Sequence, residues 1–320
     1  MNAMQTNMRQ QDDGSAAMPT LAHPPDSASP CWRALERFRW SAGLAFTSHG
    51  ARIGVRTTDA ALLECLADRL PPGSLSAADP EVDGLFSLAV VESRSRAHPA
   101  PHFFLHQGAC RVAHTRDAGE VLDALASALH GQVAAASRGP LFVHAGVVGW
   151  GGKAVVIPGR TFSGKSSLVA ALVRAGATYF SDEYAVFDAD GRVHPYAKPL
   201  SLRDGDGQRG GTFPIEALGG RAATDPLPVG LILSARYEAG ARWRPRPQSP
   251  ARAMMALLDN TVQVRTQPQA AMQILQKAAM SAGAFQSKRG EAEQVATWLR
   301  GRPLKEESLT SDNDINEKGG

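Results

Sequence analysis

Gly159-Arg160-Thr161-Phe162-Ser163-Gly164-Lys165-Ser166 is the stretch on which the reading of this chain turns. It fits the phosphate-loop pattern G-x-x-x-x-G-K-[ST], with an apolar run at residues 155–157 directly before it and another at 168–173 directly after. Strand, glycine-bearing turn and helix in that order cradle an anion with inward-pointing backbone N–H groups. Glycines permit the tight path, and the helix N-terminus carries partial positive charge. In this arrangement Lys165 reaches the outer phosphates of a nucleotide and the Ser166 hydroxyl faces Mg2+, with Gly159 to Ser167 forming the binding set.

A second signal follows the helix. Tyr179-Phe180-Ser181-Asp182-Glu183 sets two carboxylates at the end of an apolar run. A strand running beside the P-loop strand would bring them to the phosphates. There one acid can hold Mg2+ while the other takes a proton from an attacking hydroxyl. The plainer alternative is a pair of solvated acids entering a turn. His144 lies inside the apolar run 141–148, and a histidine so placed is by itself more often a core or edge residue than a catalytic one.

Composition narrows the setting. The 320 residues carry 34 basic and 31 acidic side chains, net +3, with the basic residues spread along the chain, so no nucleic-acid footprint is expected. Only seven residues are lysines, so each one invites inspection. Cys31, Cys65 and Cys110 have no C-x-x-C spacing, which fits neither a disulfide framework nor a zinc site and suits a reducing, cytoplasmic compartment. No apolar run approaches the ~20 residues of a membrane helix, and the N-terminus lacks the pattern of a secretory signal.

Periodicity divides the chain into four stretches. Residues 1–30, rich in Pro and Ser, read as a disordered tail. Residues 31–138 read as a small α+β N-terminal domain with strands at 43–46, 85–91 and 102–106 and helices at 59–69 and 118–129. Residues 139–302 form the P-loop domain: a hairpin 141–148/153–157, a helix 165–175, a strand 178–180 and a hairpin 184–187/192–196. A mobile Gly- and Pro-rich loop at 207–227, a strand 229–234 and helices at 250–258, 268–280 and 290–299 complete it. Residues 303–320 read as a second disordered tail. Arg242-Trp243-Arg244-Pro245-Arg246 is either a solvated face or a surface that steers an acidic substrate.

The string Val143-His144-Ala145-Gly146-Val147-Val148, the P-loop, Arg174-Ala175-Gly176-Ala177 and Ser181-Asp182-Glu183 together resemble the catalytic domain of the HPr kinase/phosphorylase family. They are closer still to the shorter HPr-kinase-like proteins, some of them associated with gene clusters for ribosomally made peptides. The similarity spans residues 142–203. It implies an α/β fold like that shared by HPr kinase and phosphoenolpyruvate carboxykinase, and an ATP- and Mg2+-dependent protein or peptide serine kinase. By that resemblance Asp182 deprotonates the substrate serine, His144 orients the carboxylate or phosphate, Glu183 assists Ser166 with Mg2+, and Lys165 and Arg203 neutralise the phosphoryl group.

Departures from the family pattern are specific. Ser167 stands where an acid is common, and Leu200-Ser201-Leu202-Arg203 has Ser201 where a Glu-x-Arg motif has its acid. Residues 38–130 do not resemble the family's regulatory domain, so HPr itself is not the expected substrate. The other readings of the same site are a small-molecule kinase, an ATPase, or a nucleotide-binding regulatory subunit without chemistry; no guanine-reading N-K-x-D string occurs. The expected partners are ATP, Mg2+ and a serine-bearing peptide or protein, with homo-oligomerisation left open. The N-terminal domain either offers a strand edge to a peptide or serves as packing.

Overall fold

The computed structural model describes residues 18–22, 29–92, 100–160, 163–203, 209–302 and 304. Most of both expected tails therefore lies outside the described residues, as do Thr161 and Phe162 of the P-loop. The protein is mixed α/β, with several sheets and seven α-helices among the described residues. It divides into two compact units, one formed by residues 1–142 and 261–271, the other by 143–260 and 272–320.

In the first unit, β1 (Thr20–Leu21), inside the stretch expected to be a tail, runs parallel to β5 (Glu81–Val82). It is held there because the Pro19 ring fills the space left by Gly43 and Gly54, where an added Cβ would come within 2.5 Å of it. A six-stranded sheet carries the rest, in the order β4 (Leu75–Ser76), β2 (Ala42–Ser48), β3 (Ala51–Thr57), β6 (Gly84–Val91), β7 (His102–Gln107), β8 (Cys110–Thr115). The short helices α1 (Pro30–Leu35) and α2 (Ala61–Leu66) precede α3 (Ala118–Ala136). Asp117 caps α3 by accepting from the Glu120 N–H, and its apolar stripe buries Val121, Leu125, Leu129 and Val133.

The second unit is built on a sheet ordered β10 (Lys153–Pro158), β9 (Leu141–Trp150), β12 (Tyr184–Phe187), β13 (Arg192–His194), β16 (Leu227–Tyr237), β18 (Gly283–Arg289), β17 (Arg246–Pro247). β9 and β10 form the expected hairpin, turning where Gly151 and Gly152 take φ of 55° and 74°. β10 also pairs in parallel with β16, and β16 with β18, so three strands end on the same side as the P-loop. Between β10 and β16 the chain forms α4 (Lys165–Arg174), β11 (Thr178–Ser181), and a two-stranded ribbon of β14 (Leu200–Arg203) and β15 (Arg209–Phe213). Helices α5 (Pro250–Leu258), α6 (Pro268–Ser281) and α7 (Ala292–Arg300) follow. Leu168, Val169, Leu172 and Val173 of α4 are buried in one cluster with Val295 and Leu299 of α7. At about 1.5–3 kcal/mol per buried aliphatic side chain, this stripe holds the P-loop helix on the sheet.

Three readings change. β11 does not lie beside the P-loop strand: it pairs antiparallel with β9, because β9 and β16 already occupy both edges of β10. The stretch expected to be a mobile loop contains β15 and a 3-10 turn at Ile215–Leu218, whose Ile215 is buried. β18, a largely polar strand, had no sequence counterpart.

Candidate functional site

The P-loop begins where β10 ends. Gly159 N–H donates to the His144 carbonyl at 3.1 Å, extending the β9–β10 ladder by one bond. A Cβ at Gly159 would sit 2.7 Å from Ser163 Oγ, so only glycine leaves that hydroxyl its place. Gly164 closes the loop in the left-handed region, φ 81°, and serves as the N-cap of α4. Lys165 Nζ donates to the Arg160 carbonyl at 2.7 Å. Burial holds the Lys165 ammonium below the usual lysine range, against the opposing pull of Asp182 and Glu183.

The acids meet the loop through α4. Ser166 Oγ donates to Asp182 Oδ2 at 2.8 Å, and Tyr179 OH donates to Asp182 Oδ1 at 3.1 Å. The Asp182 side chain is 4% exposed; that of Glu183 is 30% exposed. Lys198 Nζ stands 3.4 Å from Asp182 Oδ1 and 3.2 Å from Glu183 Oε2, bridging the pair. Burial alone would depress the Lys198 ammonium, but the two carboxylates outweigh it and the net shift is upward. The acids are positioned by the turn after β11, where Ser181 Oγ accepts from the Glu183 and Tyr184 N–H groups. The Glu183 carbonyl is fixed in turn by the Ala145 N–H of β9 at 3.1 Å.

His144 joins the site through its neighbours. Its ring lies 4.8 Å from the Tyr184 ring, and burial first, then the Lys165 charge, lower its pKa below the usual histidine value. It is therefore neutral at pH 7. Ser167 faces outward on α4. The side chain of Arg203 lies outside the described residues; its backbone closes β14.

Two cations were not anticipated. Lys198 is one, and the scarcity of lysines was the signal that pointed toward it. Arg289, at the end of β18, is the other: 2% exposed, it donates from Nη2 to the Gly164 carbonyl at 2.6 Å and from Nη1 to the Gly290 carbonyl at 3.0 Å. Its guanidinium lies 5.4 Å from the centroid of Tyr237. A residue 125 positions from its partner leaves no local sequence signature.

The donor set can be tested against a phosphate and a hard cation. Ser163 Oγ is buried without a hydrogen-bond partner beside Gly159, an orphan hydroxyl of the kind a phosphate oxygen would satisfy. One hydroxyl and two carboxylates, Ser166, Asp182 and Glu183, are the oxygen ligands Mg2+ takes when it arrives with a nucleotide and keeps much of its own shell. The residues fit the group. No protein-family model and no curated protein matches the chain.

Proposed function

We propose that the protein is an ATP- and Mg2+-dependent kinase that phosphorylates a serine of a peptide or protein, in the manner of the HPr-kinase-like enzymes its motifs resemble. The observation that carries this reading is the 2.8 Å bond between Ser166 and Asp182, which ties the P-loop hydroxyl to the buried member of an acid pair. A glycine turn that merely capped a helix would not need such a pair, nor a lysine spanning it.

In this reading the loop N–H groups and Lys165 hold the phosphates, and Arg289 fixes the loop by gripping its Gly164 carbonyl. Mg2+, held from Ser166 and Glu183, would neutralise charge on the phosphates. Asp182 takes the proton of the serine hydroxyl, Lys198 keeps both acids in place, and neutral His144, packed on Tyr184, adds no charge beside the acids. Catalysis is then mostly positioning and electrostatics.

One observation favours exchanging the roles of the acids. Asp182 already accepts from the Ser166 hydroxyl, while Glu183 is the more exposed and easier for an incoming hydroxyl to reach. The purified protein, Mg2+ and γ-labelled ATP, incubated with peptides encoded beside its gene and with extract of its source, separate these readings. Acid-stable phosphoserine on one peptide or protein supports the kinase. Release of free phosphate alone would replace it with an ATPase. Of Asp182→Asn and Glu183→Gln, the variant that loses transfer but keeps Mg2+-dependent nucleotide affinity identifies the base.

A further inference from the structure

A cleft of about 810 Å³ opens at the ends of β16 and β18 and the segment leading into α5. Arg236, Arg242, Arg244, Arg246, Arg252 and Lys288 line it, and no carboxylate is among its lining residues. Lys288 is paired outside the lining, 2.8 Å from Glu238. For the five arginines, no carboxylate partner occurs among the described residues. Four arginines outside the cleft, Arg52, Arg56, Arg69 and Arg138, each meet an Asp or Glu. Guanidiniums gathered in one concavity repel each other and weaken the fold unless an anion joins them.

We infer that this cleft is a second, anion-binding site that takes an acidic segment of a peptide or protein. Arginine forks match carboxylates in a bidentate manner, and five of them around one concavity fit several carboxylates in a row better than a single small anion. No aromatic ring lines the cleft to stack a base, and the chain's net charge of +3 gives no broad basic face of the kind a nucleic acid follows.

The cleft is adjacent to the nucleotide site by register. Arg236 and Lys288 are partners in the β16–β18 ladder, and the next pair along is Tyr237 and Arg289. Successive strand residues point to opposite faces. Arg289 and Tyr237 face the P-loop: Arg289 bonds the Gly164 carbonyl, and Tyr237 Cβ lies 3.4 Å from where a Gly164 Cβ would be. Arg236 and Lys288 point the other way, into the cleft. As a docking site for the phosphoacceptor, a role that rests on the kinase reading above, it selects acidic residues some distance along the chain from the serine, not beside it.

Fluorescence anisotropy of a fluorescein-labelled octaglutamate peptide with the full-length protein tests the site without relying on catalysis. Binding is expected at 50 mM salt and should weaken at 200 mM. Arg244→Glu combined with Arg246→Glu should weaken it by about tenfold or more, while Lys165→Ala leaves it unchanged. Arg242→Gln with Arg252→Gln provides a milder second pair, and nucleotide affinity confirms that either variant is folded. No peptide binding at 50 mM salt, binding insensitive to both pairs, or tighter binding of an oligouridine RNA or of phosphatidylserine vesicles would overturn the inference. Octaglutamate binding together with no phosphoserine on any serine-bearing peptide or protein in the labelled-ATP assay would leave the cleft in place and remove the kinase reading instead.

Discussion

Ser166 and Asp182 are joined by a 2.8 Å hydrogen bond that links the first turn of α4 to the acid just beyond β11. The hydroxyl that opens the helix and the deepest carboxylate of the site therefore form one unit. Ser166→Ala should raise the Mg2+ concentration needed for half-maximal nucleotide binding by roughly 10- to 100-fold, the range seen when groups around a metal are removed. Ser166→Thr, which keeps the hydroxyl, should stay near the parent. Titrating Mg2+ against binding of a fluorescent ATP analogue measures both.

Lys198 spans the two acids with a single ammonium. Lys198→Met leaves two carboxylates facing each other without their ammonium. With Lys198 18% and Glu183 30% exposed, the loss should cost about 2–3 kcal/mol, below the ~3–5 kcal/mol of breaking a fully buried pair. Millimolar Mg2+ should restore part of that stability in the variant and much less in the parent, because ligand binding stabilises the state that holds it. Thermal melts with Mg2+ and with a chelator show the difference; equal Mg2+ responses would separate Lys198 from the metal side of the site.

Gly164 takes φ 81°, and a Cβ there would approach Arg289 Nη2 to 2.5 Å. Gly164→Ala should therefore lose about 1–2 kcal/mol from the left-handed backbone alone. Displacement of Arg289 should add a further loss of nucleotide affinity. Gly176→Ala is the control: φ is 104° there too, but nothing lies within 4 Å of the added methyl. It should melt earlier and bind nucleotide normally, as denaturation curves and a nucleotide titration would show.

His144 has a folded-state pKa below the ordinary 6.5, owing to burial and then to Lys165. The unfolded chain therefore binds the proton more readily. Stability that is intact above about pH 6.5 declines as pH falls from there through the folded-state pKa. NMR titration of the imidazole should give a midpoint under 6.5, and Lys165→Met should move it upward. His144→Phe should flatten the stability profile below pH 6.5. A midpoint indifferent to residue 165 would contradict the proximity of the two charges.

What the sequence revealed and what it hid follow from the range of the contacts. The P-loop, α4 and the β9–β10 hairpin rest on patterns a few residues long, and α5 has the bounds 250–258 expected from the sequence. The acid pair was legible as residues but not in its strand pairing, since β11 joins β9 and not the P-loop strand. Lys198 needed the fold to bring it back 16 positions to Asp182. Arg289 sits at the end of a strand whose exposed positions are Gly283, Gln286 and Lys288 and whose Ser287 and Arg289 put polar groups on the other face, so alternation there is masked. The Gly- and Pro-rich stretch after residue 207 hid β15, because composition marks turns more clearly than the short ribbon between them.

The β9 main chain touches both halves of the site: the His144 carbonyl receives the Gly159 N–H, and the Ala145 N–H bonds the Glu183 carbonyl. The gap between the phosphate cradle and the acids is thus gauged by peptide units that every amino acid possesses. Side chains at the two ends of that gap can therefore change, by mutation or over evolutionary time, while the gauge keeps its setting. A lineage built on such a scaffold is free to alter the groups it presents at the site without having to rediscover the spacing.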